Sequence, residues 1–441
     1  MYSRNSVLDN SSSGGSWQSL WANNLMATGL LMLGLNGQVL AATVLTYNGF
    51  GSLGGVYSDE NEADFVANSL IQPNGAGYTD DWHLGVDTRL GGQVNAQFSE
   101  QLSGVLQVVS QRHYDNSWMP EVEWANLKYQ LNDDISVRIG RTVAATFMTS
   151  DTRLVGYANL WVRPPVDLYA MVPITNIDGI DGSFKMRFGE NLNTTQLAFG
   201  RNSFKTPDGA KIEARNTWIL SNTLEVGRAT FRLGYVAGNV DIKSSRLQML
   251  VDGYDALGDT LSRLPGLEPG AAAAHALARR YEGKGNNLEM YSAGLRYEPD
   301  EWLLQAEWGR ISDMSVFPET DAWYVTIGRR IGSFTPYITH GQVNSDTPDG
   351  GLRTAGLPEP LAAGVGMLNA GLEAALAPGV TSQKSISLGV RWDMFSGVAL
   401  KAQLQRIDID AQSGGRLVNL QPGFEPGGEV NLFSVALDFV F

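Results

Sequence analysis

The chain has 441 residues, with 46 acidic against 32 basic side chains for a net charge of −14, 50 glycines and no cysteine. That acidic balance excludes a nucleic-acid binder. The missing thiols exclude a disulfide framework and a thiolate metal site.

The first feature in chain order is an apolar run, Leu25 to Leu35, too short to cross a membrane. Val39 and Ala41 then place small residues at the −3 and −1 positions of a cleavage site. Residues 1–41 read as an export signal, although Arg4 is their only basic residue. Residues 42–441 read as a single transmembrane barrel domain, because no later segment has the length and composition of a spanning helix.

From Val44 onward one unit recurs: an alternating run of about ten residues, a tight turn, a second alternating run, and a longer polar loop. Val44 to Ser58 is the first strand. Its Gly49-Phe-Gly-Ser-Leu-Gly54 matches a dinucleotide-binding fingerprint, but no helix follows, so its glycines read as bends or close packing within a strand. The second strand is expected from Trp82 to Phe98, with Leu84, Val86, Leu90 and Val94 on one face and Asp87, Arg89, Gln93 and Asn95 on the other. Strands at 102–114, 121–131 and 135–141 follow, the second of these placing Lys128 on its polar face and the third Arg138.

The stretch 142–177 breaks the rhythm. It holds Pro164, Pro165 and Pro173 and mixes apolar residues with Asp151, Arg153, Arg163 and Asp167, the composition of a long loop packed against something. Strand six, Ile180 to Phe188, alternates Ile180, Phe184 and Met186 with Asp181, Lys185 and Arg187. Ten further strands bring the expected total to about sixteen, ending at 430–441, where Phe433, Val435, Leu437, Phe439 and Phe441 form an apolar stripe. Such a stripe needs a paired, covered edge, which barrel closure supplies. Two insertions, within 238–287 and 344–382, carry helical spacing and are expected as helical extracellular loops.

No catalytic constellation emerges. The four histidines show no metal-ligand spacing, and neither a nucleophile elbow nor a phosphate loop is present. The chain therefore reads as a non-enzyme without metal or cofactor. What stands out is charge at inward positions. Arg89, Lys128, Arg232, Arg391 and Lys401 are expected to line a watery pore. Arg138, Arg141, Lys185 and Arg187 flank the long loop and, with Arg153, are expected at a constriction opposite Asp151, Asp167, Asp178 and Asp181. Facing rows of opposite charge would set up a transverse field there.

Taken together, the export segment, the sixteen-strand rhythm, the long loop after strand five and the terminal Phe441 resemble a Gram-negative trimeric porin. Ile135-Ser-Val-Arg-Ile-Gly-Arg141 is similar to that family's strand before the constriction loop, and Gly179 to Phe188 to the strand leaving it. The resemblance implies an all-β antiparallel barrel in the bacterial outer membrane with an inward-folded loop. It further implies a homotrimer in contact with outer-membrane lipids, passing small hydrophilic solutes or ions, and recognition of Phe441 by the outer-membrane assembly machinery. The alternative is a barrel-borne enzyme or adhesin acting through its large extracellular loops.

Overall fold

A computed structural model describes residues 43–348 and 351–441; the expected export segment 1–41 lies outside the described residues. Among the described residues sixteen long strands close into one antiparallel barrel. The first eight are β1 (Val44–Ser58), β2 (Arg89–Gln97), β3 (Leu102–Gln111), β4 (Glu121–Gln130), β5 (Ile135–Val143), β6 (Asn176–Phe188), β7 (Asn191–Lys205) and β8 (Lys211–Val226). The remainder are β9 (Ala229–Lys243), β10 (Asn286–Tyr297), β11 (Trp302–Ile311), β12 (Thr320–Arg329), β13 (Phe334–Ser345), β14 (Gln383–Phe395), β15 (Val398–Ile409) and β16 (Glu429–Val440). Closure is direct: Ser52 of β1 stands in register with Arg89 of β2 on one side and Asp438 of β16 on the other.

Alternation dictates which side faces what. Leu53, Leu90, Ile139, Leu233 and Leu404 are each more than half exposed on the outside, while their inward neighbours Ser52, Gln107, Ser221, Gln403 and Ser434 are buried. An apolar exterior over a polar interior is the reverse of a soluble barrel. This closed sixteen-stranded barrel is an outer-membrane protein. An arginine in place of Leu404 would cost about 2–4 kcal/mol if it sat at the bilayer midplane.

Long loops gather at one end and tight turns at the other. Gly189 (φ +63°) and Gly397 (φ +78°) occupy left-handed positions in two of the tight turns, where a side chain would be strained. The second strand is shorter than its alternation suggested. Trp82–His83 bridges briefly to β1, after which Val86 and Asp87 both turn inward and become buried before β2 begins at Arg89. Tyr337 points inward, its ring seated over Gly389 and its hydroxyl on Gln403 at 2.8 Å.

At the seam the glycine-rich fingerprint has a packing role. The Phe441 ring lies against Gly49 and the Phe439 ring against Gly51, where a Cβ would collide with each. The two rings stack at 6.3 Å between centroids. The main chains of Gly49 and Phe441 exchange both hydrogen bonds, at 2.8 and 3.0 Å. The terminal strand is thereby locked to the first.

Both helical insertions are present. α2 (Ser245–Ser262) and α3 (Glu268–Arg280) lie between β9 and β10, and α4 (Glu359–Leu376) lies between β13 and β14. Ser244 caps α2 by accepting from the Leu247 amide. Leu247, Val251 and Tyr254 of α2 pack with Ala274 of α3 and with Val365 and Leu372 of α4 in a small core beyond the rim. The Tyr254 hydroxyl donates to Asn369 at 3.1 Å, joining α2 to α4.

Candidate functional site

The chain between β5 and β6 folds into the barrel. It carries two short turns, Ser150–Thr152 and Gly156–Ala158, and one helical turn, α1 (Val166–Tyr169). Its apolar residues Phe147, Trp161, Leu168 and Tyr169 are almost fully buried against Tyr324 and Tyr337 of the wall. A segment this short on regular structure leaves main-chain carbonyls without strand partners, and buried carbonyls require donors from elsewhere. The wall supplies them.

Lys401 donates to the carbonyls of Gly156 (2.7 Å) and Trp161 (2.8 Å) while its ammonium also pairs with Asp438 at 2.7 Å. Arg391 donates to the carbonyls of Tyr157 (2.5 Å) and Asn159 (2.9 Å). Arg232 reaches the Ala145 carbonyl and stands 3.7 Å from Asp151. These three residues, expected to line open pore, instead fasten the loop to the wall. Gly156 permits the close approach, since a Cβ there would strike Asp438 and Ser52.

Asp167 is likewise an anchor and not a lumen charge. It is 1% exposed, accepts from Gln383 (2.8 Å) and Ser385 (2.5 Å), and its carbonyl accepts from Arg416. Burial pushes its carboxyl above the ordinary range, against those hydrogen bonds. On β11, Glu307 accepts from the Tyr169 hydroxyl at 2.6 Å and from the Met148 amide at 2.7 Å. Most of these polar anchors come from β9 to β16.

Opposite them, between the loop and the wall of β2 to β5 and β7, lies a polar cleft of about 230 Å3. Six basic side chains and two acidic ones, Glu121 and Glu123, line it among the described residues. The Arg153 guanidinium donates to the carbonyls of Val172 and Tyr169, each at 2.7 Å, and lies 5.6 Å from the Tyr169 ring centre. Among the described residues it forms no ion pair with a carboxylate, and Glu123 of the same cleft acts on it only at longer range. Burial lowers its pKa to about 10. Arg163 projects from the same loop and is paired, donating to Asp87 at 2.8 Å and to Ser434 at 2.8 Å. Arg89 donates to the Asp87 carbonyl at 3.3 Å. Arg112 holds the Asn116 side chain at 3.0 Å and His83 at 2.6 Å.

The expected polarity of the constriction is therefore inverted. The loop turns Arg153 and Arg163 toward the cleft, with Asp167 buried at the far wall and Asp151 beside Arg232. The remaining candidates separate into three places. Arg138 and Asp181 pair at 2.9 Å on the inner face, with Lys128 in register beside Arg138. Arg141 and Asp178 also pair, at 2.7 Å, further toward the loop end of β5 and β6, where Arg141 borders the cleft with its charge taken up by that pair. Lys185 and Arg187 lie toward the tight-turn end of β6, where Arg187 pairs with Asp134 at 2.9 Å. Seven residues separate Lys185 from Asp178, about 23 Å of extended strand. Neither Lys185 nor Arg187 joins the cleft.

Arg112 and Lys205 were not singled out in the sequence, although both border the cleft. Arg112 follows the last residue of β3, past the point where alternation informs, and nothing in the sequence signals its position.

No protein-family model matches the chain, and no curated protein sequence matches it. Among solved structures, in-vitro folded OmpT in its trimer form, an outer membrane protein of Vibrio cholerae, aligns with a TM-score of 0.50 at 11% identity over 91% of this chain and 100% of that chain. OmpF of Salmonella typhi, in complex with daunomycin, aligns with a TM-score of 0.50 at 12% identity over 90% of this chain and 97% of that chain. At such identities the likeness is one of fold.

Proposed function

We propose that the protein is a passive diffusion channel of the outer membrane, admitting small hydrophilic solutes and ions through the cleft between the inward loop and the wall of β2 to β5 and β7. The supporting observation is Arg153: a guanidinium held in the cleft by two loop carbonyls, in ion-pair contact with no carboxylate among the described residues. The loop filters by size because its far side is fastened to the wall by Lys401, Arg391 and Glu307 and cannot swing aside. Arg89, Arg112 and Arg153 add a positive potential that favours anions, in spite of the acidic net charge. Passage needs no chemistry and no energy coupling. Assembly as a homotrimer belongs to the same proposal.

The full chain reconstituted in a planar bilayer tests it. Discrete current steps in potassium chloride, with a reversal potential displaced toward chloride, are expected. A protein that inserts and gives no steps would defeat the proposal. Chemical cross-linking in native membranes should yield a three-chain species; a single-chain product alone would remove the trimer.

A further inference from the structure

On the inner surface of a water-filled barrel polar side chains are the rule. Here one inner row is apolar across five neighbouring strands. Ala198, Ile219, Val236, Met290 and Ile311 stand in successive register from β7 to β11. Met171 and Val172 of the loop pack against this row, yet the packing is incomplete. A cavity of about 140 Å3 remains, lined by Ile219, Val236, Met290 and Ile311 of the row, by Met171 and Val172, and by Phe204. Arg416 is its one charged lining residue among the described residues, and that side chain is engaged with the Asp167 carbonyl.

The cavity adjoins two other spaces. On the outer side it shares Leu70, Ile212 and Phe317 with a larger space of about 470 Å3 between the long loops. On the inner side it shares Pro173, Ile174 and Phe204 with the basic cleft. A solute passing through them from the loop end would meet apolar walls first and the Arg153 guanidinium next.

From this sequence of surfaces we infer that the preferred solute is an organic anion with a compact apolar body, of the size of an aromatic ring bearing one carboxylate or sulfonate. The inference rests on the channel reading above and narrows it. An aliphatic-lined cavity of about 150 Å3 accepts a benzene ring, and this one is close to that size. A sugar or an inorganic ion would lose hydration in the apolar stage without recompense. A neutral hydrocarbon would find nothing to hold it at Arg153. A molecule with both parts is matched at both stages. Removing about 60 Å2 of apolar surface from water favours such a solute roughly tenfold over its non-aromatic counterpart.

The test uses the full chain in planar bilayers with permanently charged probes, so that leakage of protonated acid through lipid does not interfere. Reversal potentials give the permeability of benzenesulfonate, methanesulfonate and phenyltrimethylammonium relative to chloride. Benzenesulfonate is expected to pass about tenfold better than the smaller methanesulfonate, and better than the equally apolar cation by a similar factor. Chloride steps with permeabilities ordered by size alone would overturn this inference while leaving the channel reading intact. Absence of steps in every salt would overturn both. In a Val236→Thr, Met290→Gln double variant the preference for benzenesulfonate should fall several-fold; the single Val236→Thr, the milder change, should show part of the same loss. An unaltered preference in both would remove the apolar stage from the route.

Discussion

Lys401 and Asp438, on adjacent strands, pair at 2.7 Å with both side chains fully buried beneath the inward loop. Breaking a buried pair by deleting one member leaves the other charge uncompensated and costs about 3–5 kcal/mol. Lys401→Met also strips donors from the Gly156 and Trp161 carbonyls. We expect this variant to unfold at lower temperature in detergent and to show larger, noisier current steps as the loop loosens. Replacing both members, Lys401→Met with Asp438→Leu, should recover much of the heat resistance but leave the noise. Equal stability of single and double variants would argue against the pair.

Neutralising the cleft should weaken its preference for anions. Removing a unit charge about 5 Å from the path of an ion changes its energy by about 0.8 kcal/mol in a water-like dielectric, roughly fourfold in permeability ratio. Arg153→Gln and Arg89→Gln should each lower the chloride-to-potassium ratio by about that factor at low salt, with the effect shrinking at high salt. Arg187→Gln, near the tight-turn end, should change the ratio little.

Asp87→Asn is expected to act with the opposite sign. It releases Arg163, whose guanidinium is otherwise neutralised at 2.8 Å, so the anion preference should rise. Because the pair is buried, the variant should also lose heat resistance. A shift toward cations would show that Arg163 does not act on the cleft.

The Arg153 pKa of about 10 gives the cleft a pH dependence. A base with a lowered pKa is charged below that value and neutral above it. Anion preference should therefore hold from neutral pH to about pH 9 and decline between about pH 9 and 11. Titrating the reversal potential of wild type and Arg153→Gln side by side checks this, since the part of the decline due to Arg153 is missing in the variant.

At the seam, Gly51→Val would drive a branched side chain into the Phe439 ring. The expected result is a marked fall in the yield of heat-modifiable, folded barrel. Gly51→Val combined with Phe439→Ala should restore part of it. If Gly51→Val alone folds at wild-type yield, the ring does not need the gap.

How much of this was legible in the sequence depends on what alternation can encode. Strands β11, β12 and β15 follow their alternating runs residue for residue, because each side chain has only two sides to choose between. The proline-rich break at 142–177 marked the loop for a similar reason. Alternation places Arg391 and Lys401 on the inner face correctly, yet it cannot distinguish an inner face wetted by the lumen from one covered by the loop. The burial of Asp167 is illegible on the same account: its partners Gln383, Ser385 and Arg416 are more than two hundred residues away. Gly140, at φ +121°, interrupts the extended backbone just before Arg141, so alternation does not assign that side chain, and its pairing with Asp178 shows only in the folded chain.

The hydrogen bond from Ser52 to Asp438 joins the first strand to the last, and Asp438 in turn orients the lysine that grips the loop. The Lys401 contacts to Gly156 and Trp161 span about 240 residues of chain, so they need the sheet to have curled round, and Ser52 completes the Asp438 site only when the seam is sealed. We therefore expect the cylinder to be sealed before its obstruction is fully installed. Protease protection of residues 150–165 should accordingly lag behind the gel-mobility change that reports sealing, and an incompletely sealed intermediate would be leakier than the finished protein.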